Sequence, residues 1–552
     1  MCKWIGAVRL GTLVLAFAAS WIPFQARGQT RVSTSTRVDV ADVDQILRLG
    51  VELEQQSRWG EALSHYEDAL RKHPGQRDLA ERLLLSRMHY EVGRRYADTS
   101  YLDAVQQLTP RQAADLYTEV LLKIHTHHVD QPSWHSLFQK GTTAIEIALA
   151  EPTFQHRFGI NLNETQRHRC AQNVQQAAAA RPIQTRPESR DAAAYVGLLI
   201  ERQVGIPQQA IMLEYACAAV ASLDDYSAFL TGNQLDEILS QIEGNFVGLG
   251  IELKAESQSL LIVSVIPGGP ADHGGLRPGD RIVSVAGSST SEISTDAAAD
   301  MLKGPEGTTV DLDVMNSTEI VRKVQLRRQV VEVPSVEHVS IIDPDSAVGY
   351  LKLTSFQKTT SRDVESALWK LHREGMRSLI IDLRGNPGGL LTSSVEIADK
   401  FITEGTIVAT RGRGTGEDFD YKAHLIGTWR VPLVVLIDGN SASASEIFAA
   451  AIRDAQRGTI VGERSFGKGS VQGIFPLNIG HIGLRITTAK FYSPSHQAIS
   501  GRGVQPHVVV QVHTTARPTD SGEIVAHAGD SDPFIQAALQ VARRQLASRE
   551  AR

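Results

Sequence analysis

The chain has 552 residues, too many for a single hydrophobic core, and its 21% charged and 42% hydrophobic residues describe a folded protein of several domains rather than a disordered one. A net charge of −6 supplies no basic field, so no nucleic-acid partner is expected. Cys2, Cys170 and Cys217 show no CxxC or Cys/His spacing, which points away from zinc. Cys170 and Cys217 read as two buried thiols, with a disulfide between them left open.

In chain order, Lys3 and Arg9 precede an apolar run from Leu13 to Ala19, and Ala26-Arg27-Gly28 offers small residues for cleavage. That arrangement resembles a secretory signal over residues 1–28. The run falls short of the ~20 residues that span a bilayer. The expectation is an exported protein, periplasmic or on the outer face of the inner membrane, touching the membrane only if the signal stays uncleaved as an anchor. Residues 29–125 form a helical region. Within it, Ile46 to Pro74 read as two amphipathic helices, the first carrying Leu47, Leu49, Val51 and Leu53. Gly50, Ala62, Tyr66, Ala69 and Pro74 sit much as in a tetratricopeptide repeat, so the segment is either a helical hairpin or a repeat that binds a partner protein. A second helical region covers 126–240, with a linker-like interruption from Arg181 to Arg190. The run His125-Thr126-His127-His128 has no metal-ligand pattern around it and reads as polar surface, and Asn163-Glu164-Thr165 reads as a loop.

Composition changes near Asn245. Phe246-Val247-Gly248-Leu249-Gly250-Ile251 mixes glycine with apolar residues, Leu260 to Ile266 reads as a strand, and Pro267 to Pro270 as a turn. Leu276-Arg277-Pro278-Gly279-Asp280 then leads into the strand Arg281 to Val285, and Thr295 to Leu302 reads as a helix. This order resembles a PDZ domain over 241–330. The resemblance implies that backbone N–H groups along Gly248, Leu249, Gly250 and Ile251 receive a peptide's terminal carboxylate while the peptide adds a strand.

From Gly349 strands and helices alternate: Gly349 to Leu353, a helix from Ser361 to Glu374, Ser378 to Leu383, a helix from Leu391 to Phe401, and Val431 to Ile437. The pattern predicts an α/β layer with central parallel strands over 331–515, followed by a C-terminal tail, 516–552. Three loops follow these strands. They are Asp382-Leu383-Arg384-Gly385-Asn386-Pro387-Gly388-Gly389, then Asp438-Gly439-Asn440-Ser441-Ala442-Ser443-Ala444-Ser445-Glu446, then Gly462-Glu463-Arg464-Ser465-Phe466-Gly467-Lys468-Gly469-Ser470-Val471-Gln472. Together with Leu223-Asp224-Asp225-Tyr226-Ser227 and the PDZ pattern, they resemble the S41 family of C-terminal processing peptidases over roughly residues 180 to 515. The resemblance implies a multidomain α+β chain with a crotonase-like α/β serine peptidase core. It places the nucleophile on Ser443, the general base on Lys468, an orienting amide on Gln472, and an oxyanion hole at the N–H groups of Gly389 and Ala444. It implies no cofactor or metal, and protein substrates with accessible C-terminal tails.

The chemistry agrees with that assignment. A serine hydroxyl needs a base during attack, and lysine is a base only when neutral. An exposed lysine is less than ~0.1% neutral at pH 7, so the site must lower its pKa by about three units, or about 4 kcal/mol. Phe466 and Val471 are the expected shields, and Glu463 is the acid that could interfere. Against catalysis, Ser443-Ala444-Ser445-Glu446 is also a capping box, in which the serine would spend its hydroxyl on the helix start. Gly462-x4-Gly467-Lys468 approaches a phosphate-binding loop, but Gly469 stands where Ser or Thr is needed. One departure from the family pattern occurs at Gly503-Val504-Gln505-Pro506-His507, where Pro-Asp is common. The alternative function is a catalytically silent PDZ and helical scaffold.

Overall fold

The computed structural model describes residues 13–17, 40–255, 259–291, 301–316, 318–414, 416–510 and 532–550. The chain begins with helices Val40–Gln55, Trp59–Lys72 and Arg77–Ala97. Gly50 is there because a Cβ would stand 2.2 Å from the Tyr66 ring, and the buried Tyr66 hydroxyl donates to Glu54 at 2.8 Å. Ala62, Tyr66 and Ala69 close this small core with Val43 and Leu79.

Further on, the helix Gln208–Ala221 is buried from Ala210 to Val220, as a central helix hydrophobic on all sides should be. Helices Pro110–His127, Trp134–Ala150 and Arg186–Val204 surround it. The interruption expected across Arg181 to Arg190 is shorter than the sequence suggested. Thr185 caps a helix that starts at Arg186, with Glu188 closing the box and Pro187 in the first turn. Asn163 likewise caps the helix Glu164–Ala179 rather than lying in a plain loop.

Six antiparallel strands form the PDZ sheet, five in the order Ile251–Ala255, Leu260–Val265, Arg281–Val285, Thr309–Met315 and Val321–Arg327, with Ser288–Ser289 added on Arg281–Val285. Its first strand pairs on one side alone among the described residues, which leaves an edge open. A ladder of Asn245–Gly248 with Gln329–Glu332 joins the module to the rest of the chain. Of the helix expected over Thr295 to Leu302, only residues 301 and 302 fall within the described residues.

The α/β core has strands Val348–Leu353, Ser378–Asp382, Leu433–Ile437, Thr459–Gly462 and Val508–Val509 in parallel, with Val336–Asp343 antiparallel at the edge. Ser378–Asp382 and Leu433–Ile437 are buried at every residue, the reason their runs are continuously apolar. Leu368, Phe401 and Phe448 cover one face. Ala538, Leu539 and Ala542 of the helix Pro533–Glu550 cover the other, so the expected C-terminal tail supplies part of the core.

A second sheet runs Gly388–Leu390, Leu13–Phe17, Ser470–Pro476, Gly483–Tyr492, Thr406–Gly412 and Phe419–Lys422, with Ala228–Leu230 added on Gly483–Tyr492. Leu13–Phe17, read as part of the signal's apolar run, is a strand antiparallel to both neighbours, with Ala16 opposite Gly389 and Leu15 opposite Gln472. The remainder of the expected signal lies outside the described residues. No helix among the described residues is long and apolar enough to cross a membrane. Phe475, Leu484 and Ile486 of the second sheet share one hydrophobic cluster with Leu116, Ile145 and Leu213, so the helical region and this sheet are built around a common core.

Candidate active site

The three loops converge. Asp382, at the end of its strand, holds Arg384 through Nε (3.0 Å) and Nη2 (2.6 Å) and accepts from the Tyr350 hydroxyl at 2.9 Å, which stiffens the first loop. Asn386 Oδ1 accepts from Gly388 N–H at 2.9 Å, and its Nδ2 donates to Leu353 O at 2.9 Å. Gly388 and Gly389 have φ of 107° and 141°. A Cβ on Gly388 would lie 2.9 Å from Ser443 Cβ and 3.0 Å from Ala444 N, and one on Gly389 would lie 2.1 Å from Phe356 O. Only glycine brings this backbone against the second loop.

In the second loop Ser443 adopts φ 57° and ψ −112° immediately before the helix Ala444–Asp454. Positive φ is uncommon for a residue with a side chain and marks a constrained position. Ser441 Oγ donates to Leu383 O (2.8 Å) and Ser445 Oγ to Asn386 O (3.0 Å). The hydroxyl between them, Ser443 Oγ, is buried with no hydrogen-bond partner among the described residues. Only one side-chain arm of the capping box is made, the Glu446 carboxylate accepting from Ser443 N–H at 2.8 Å. The serine side chain is left free of the helix start. Ala444 N–H lies at the positive end of that helix.

Glu446 also reaches the third loop. It accepts from Ser465 Oγ (2.6 Å), Gly467 N–H (2.7 Å) and Lys468 N–H (2.9 Å), so one oxygen, Oε2, joins the backbones of Ser443 and Lys468. Burial pushes this carboxyl up to about 7 despite four donors that favour its charged form. From sequence alone Glu446 is a helix cap. Its position three residues after Ser443 was the available signal, but the other donors come from loop residues far along the chain.

Lys468 is 1% exposed, and burial first, then the nearby Arg485, holds its amine well below the usual lysine range against the weaker pull of Asp224 and Glu446. Nζ stands 4.7 Å from the centre of the Tyr226 ring, and no carboxylate among the described residues lies within ion-pair range. The expected shield Phe466 is 49% exposed and turned outward; Tyr226 takes that place, and Glu463 is also exposed. Gln472 donates from Nε2 to Ser470 Oγ at 2.9 Å and to Thr487 Oγ1 at 3.4 Å, while its buried Oε1 has no partner among the described residues. Lys468 Nζ makes no hydrogen bond to Ser443 Oγ or to Gln472 Oε1 in this conformation.

Asp224 of Leu223-Asp224-Asp225-Tyr226-Ser227 accepts from Thr487 Oγ1 at 3.0 Å and from His128 Nε2 at 3.2 Å. Its carboxyl is held down at about 2: burial opposes that shift, and the donors around it outweigh burial. His128 is therefore buried between domains rather than on a polar surface, and His127 stacks on Phe475 at 4.3 Å. At the position departing from the family pattern, His507 Nδ1 accepts from Ile460 N–H (3.0 Å) and its own N–H donates to Ile460 O (2.8 Å), a structural contact. Cys170 and Cys217 are both free and buried. Among the described residues no group of three or more His, Cys, Asp or Glu is placed to hold a metal ion.

Away from these loops, Gly248 ends its strand, Leu249 is buried and Gly250 has φ 75°. The carbonyls of Leu249 and Gly250 accept from Ala271 and Ile266 N–H (both 2.9 Å), and the N–H groups of Leu249 and Gly250 have no partner among the described residues. Ile251 opens the edge strand.

A parallel α/β core carrying these serine and lysine loops, with a PDZ module beside it, defines a serine-type peptidase. The model of peptidase family S41 matches residues 347–510 and that of the PDZ domain residues 261–315. A carboxy-terminal-processing protease of Bartonella bacilliformis is 36% identical over 316 residues, covering 56% of this chain and 71% of the relative. A carboxyl-terminal-processing protease of Synechocystis sp. is 38% identical over 298 residues, covering 53% and 69%. The solved photosystem II D1 C-terminal processing protease aligns over 72% of this chain and 92% of its own, at 25% identity and a TM-score of 0.37. The chain belongs to peptidase family S41, among the PDZ-bearing carboxy-terminal-processing proteases, and its substrates are proteins.

Proposed function

We propose that Ser443 and Lys468 form the catalytic pair of an endopeptidase that cuts proteins near their C-terminal tails. The observation that carries this reading is the state of the three loop serines: two hydroxyls are spent on backbone carbonyls and the middle one is buried and free beside a desolvated lysine loop. The neutral amine of Lys468 takes the Ser443 proton as Oγ attacks a peptide carbonyl, then delivers it to the leaving amine; water resolves the acyl-enzyme by the same route. The N–H groups of Gly389 and Ala444 receive the oxyanion, the latter aided by the helix dipole. Gln472 Oε1 accepts from the lysine amine and directs its lone pair at Ser443. Catalytic hydrogen bonds commonly tighten only once substrate is bound, and both acceptors are buried and unpartnered.

An extended tail enters beside the PDZ module, its carboxylate on the backbone of Gly248 to Ile251 and its chain along the open edge strand Ile251–Ala255. The core is crotonase-like in this reading, and the hairpin built on Gly50 and Tyr66 is a tetratricopeptide-like unit that holds a partner protein. The basic and apolar start of the chain supports export to the periplasm or the outer face of the inner membrane. The pair is tested with Ser443→Ala and Lys468→Ala on an unfolded protein substrate. Each is expected to lower turnover by about 1,000-fold or more, and undiminished cleavage by either rules the pair out.

A further inference from the structure

The two ends of a glutamine side chain have nearly the same shape and opposite polarity, so a buried glutamine that must accept a proton at one end needs something to fix its direction. Gln472 and Thr487 are cross-strand partners in the second sheet. Thr487 Oγ1 has one proton, and it goes to Asp224 Oδ1 at 3.0 Å. Asp224 is saturated with donors: Tyr226 N–H (2.8 Å), Ser227 N–H (2.9 Å), Ser227 Oγ (2.8 Å) and His128 Nε2 (3.2 Å). Its carboxylate has no proton to give back, so Thr487 Oγ1 faces Gln472 with lone pairs only. Those lone pairs meet Nε2 at 3.4 Å, and the opposite end, Oε1, is left buried and unpartnered. Ser470 Oγ, 2.9 Å from Nε2, cannot decide the direction because its hydroxyl turns to suit either end.

Building on the Ser443–Lys468–Gln472 reading, we infer that Asp224 and Thr487 are positioning residues that fix the direction of the Gln472 amide so that Oε1 faces the lysine. A flipped amide would place Oε1 against the Thr487 lone pairs and present Nε2–H to the neutral amine of Lys468. That donor would engage the electron pair needed to take the Ser443 proton. Besides the Tyr226 ring that covers the amine, the turn Leu223 to Ser227, contributed by the helical side of the molecule, therefore has a second route to the base, from Asp224 through the side chains of Thr487 and Gln472.

The test compares Thr487→Val, Thr487→Ser and Asp224→Asn in the full chain, measuring kcat and KM on an unfolded protein substrate, labelling by a serine-reactive probe, and Tm. Thr487→Val and Asp224→Asn are expected to lower kcat and probe labelling by about tenfold or more while KM stays within about twofold. Thr487→Ser, which keeps the hydroxyl, stays within about twofold of wild type. Equal activity of the Val and Ser variants overturns the inference, as does a loss in all three that follows their Tm. If Asp224→Asn fails to fold, the Thr487 pair decides alone, since valine replaces only the hydroxyl. Activity retained in Lys468→Ala would instead defeat the parent reading, so the two failures are separable.

Discussion

A neutral amine buried at position 468 sets folding against function. The unfolded chain carries an ordinary lysine, so as pH falls below about 10.4 the unfolded state binds a proton that the folded state refuses. Stability declines with falling pH until the lowered pKa of the folded state is reached, by about 1.4 kcal/mol for each unit between the two values. Lys468→Met keeps an unbranched stem in the same space. It is expected to raise Tm at pH 7 while abolishing cleavage, with the Tm gain shrinking toward pH 10; a variant that melts below wild type at pH 7 contradicts this. Glu446→Gln would put an amide donor in place of one carboxylate oxygen, facing either the N–H groups of Ser443 and Lys468 or the N–H of Gly467 and the hydroxyl of Ser465, which now have an acceptor. At about 1–3 kcal/mol for each donor left unmade, a loss of at least tenfold in kcat is expected, and full activity would show that the carboxylate does not hold the loops together. The loops that carry Ser443 and Lys468, and the strand start that carries Gln472, were legible because their local composition is unusual. The wider work of Glu446 was not, because a capping box accounts for it locally while its remaining partners are 19 to 22 residues away. Phe466 failed as a shield because adjacency in sequence does not fix which way a loop side chain turns.

Loops and strands explain why some positions tolerate no side chain. A Cβ on Gly389 meets a backbone oxygen that has no rotamer to escape into, whereas a Cβ on Gly385, also at positive φ, meets nothing within 4 Å. Gly385→Ala is therefore expected to cost about 1 kcal/mol, from backbone conformation alone. Gly389→Ala should cost more and remove activity, as thermal melts and a cleavage assay on both variants would show; equal effects would argue against the contact with Phe356 O. Deleting residues 245–330 removes the PDZ module and is expected to leave the peptidase core folded while changing tail selectivity. An unchanged cleavage profile would detach the module from substrate choice. Short apolar runs such as Leu379 to Ile381 announced central strands because both faces of the sheet are covered. The linker ends at Thr185, earlier than its composition suggests, because proline and polar residues mark a helix start as readily as a loop.

At the scale of the whole molecule, the helices are not an appendage. Phe475, Leu484 and Ile486 sit in the same core as Leu116 and Leu213, and Tyr226 from the end of that region covers the lysine. A variant lacking residues 40–74 removes most of a small separate cluster and is expected to stay folded and active, whereas one lacking residues 108–221 should lose both fold and activity. Circular dichroism and cleavage of the two variants test this, and an active protein without residues 108–221 would refute the shared core. Helix content was readable from periodicity, but which surface each helix covers depends on contacts made across the chain. For the same reason the docking of Pro533–Glu550 under the parallel sheet could not be foreseen.

Leu13–Phe17 lies between Gly388–Leu390 and Ser470–Pro476 as an extended strand paired on both sides. Main-chain bonding of that kind reads shape rather than letters, and a polypeptide end must first give up its own helix or sheet to match it. A segment in that place is held extended with both of its main-chain edges taken, as Leu13–Phe17 is between the loop of Gly389 and the strand of Gln472.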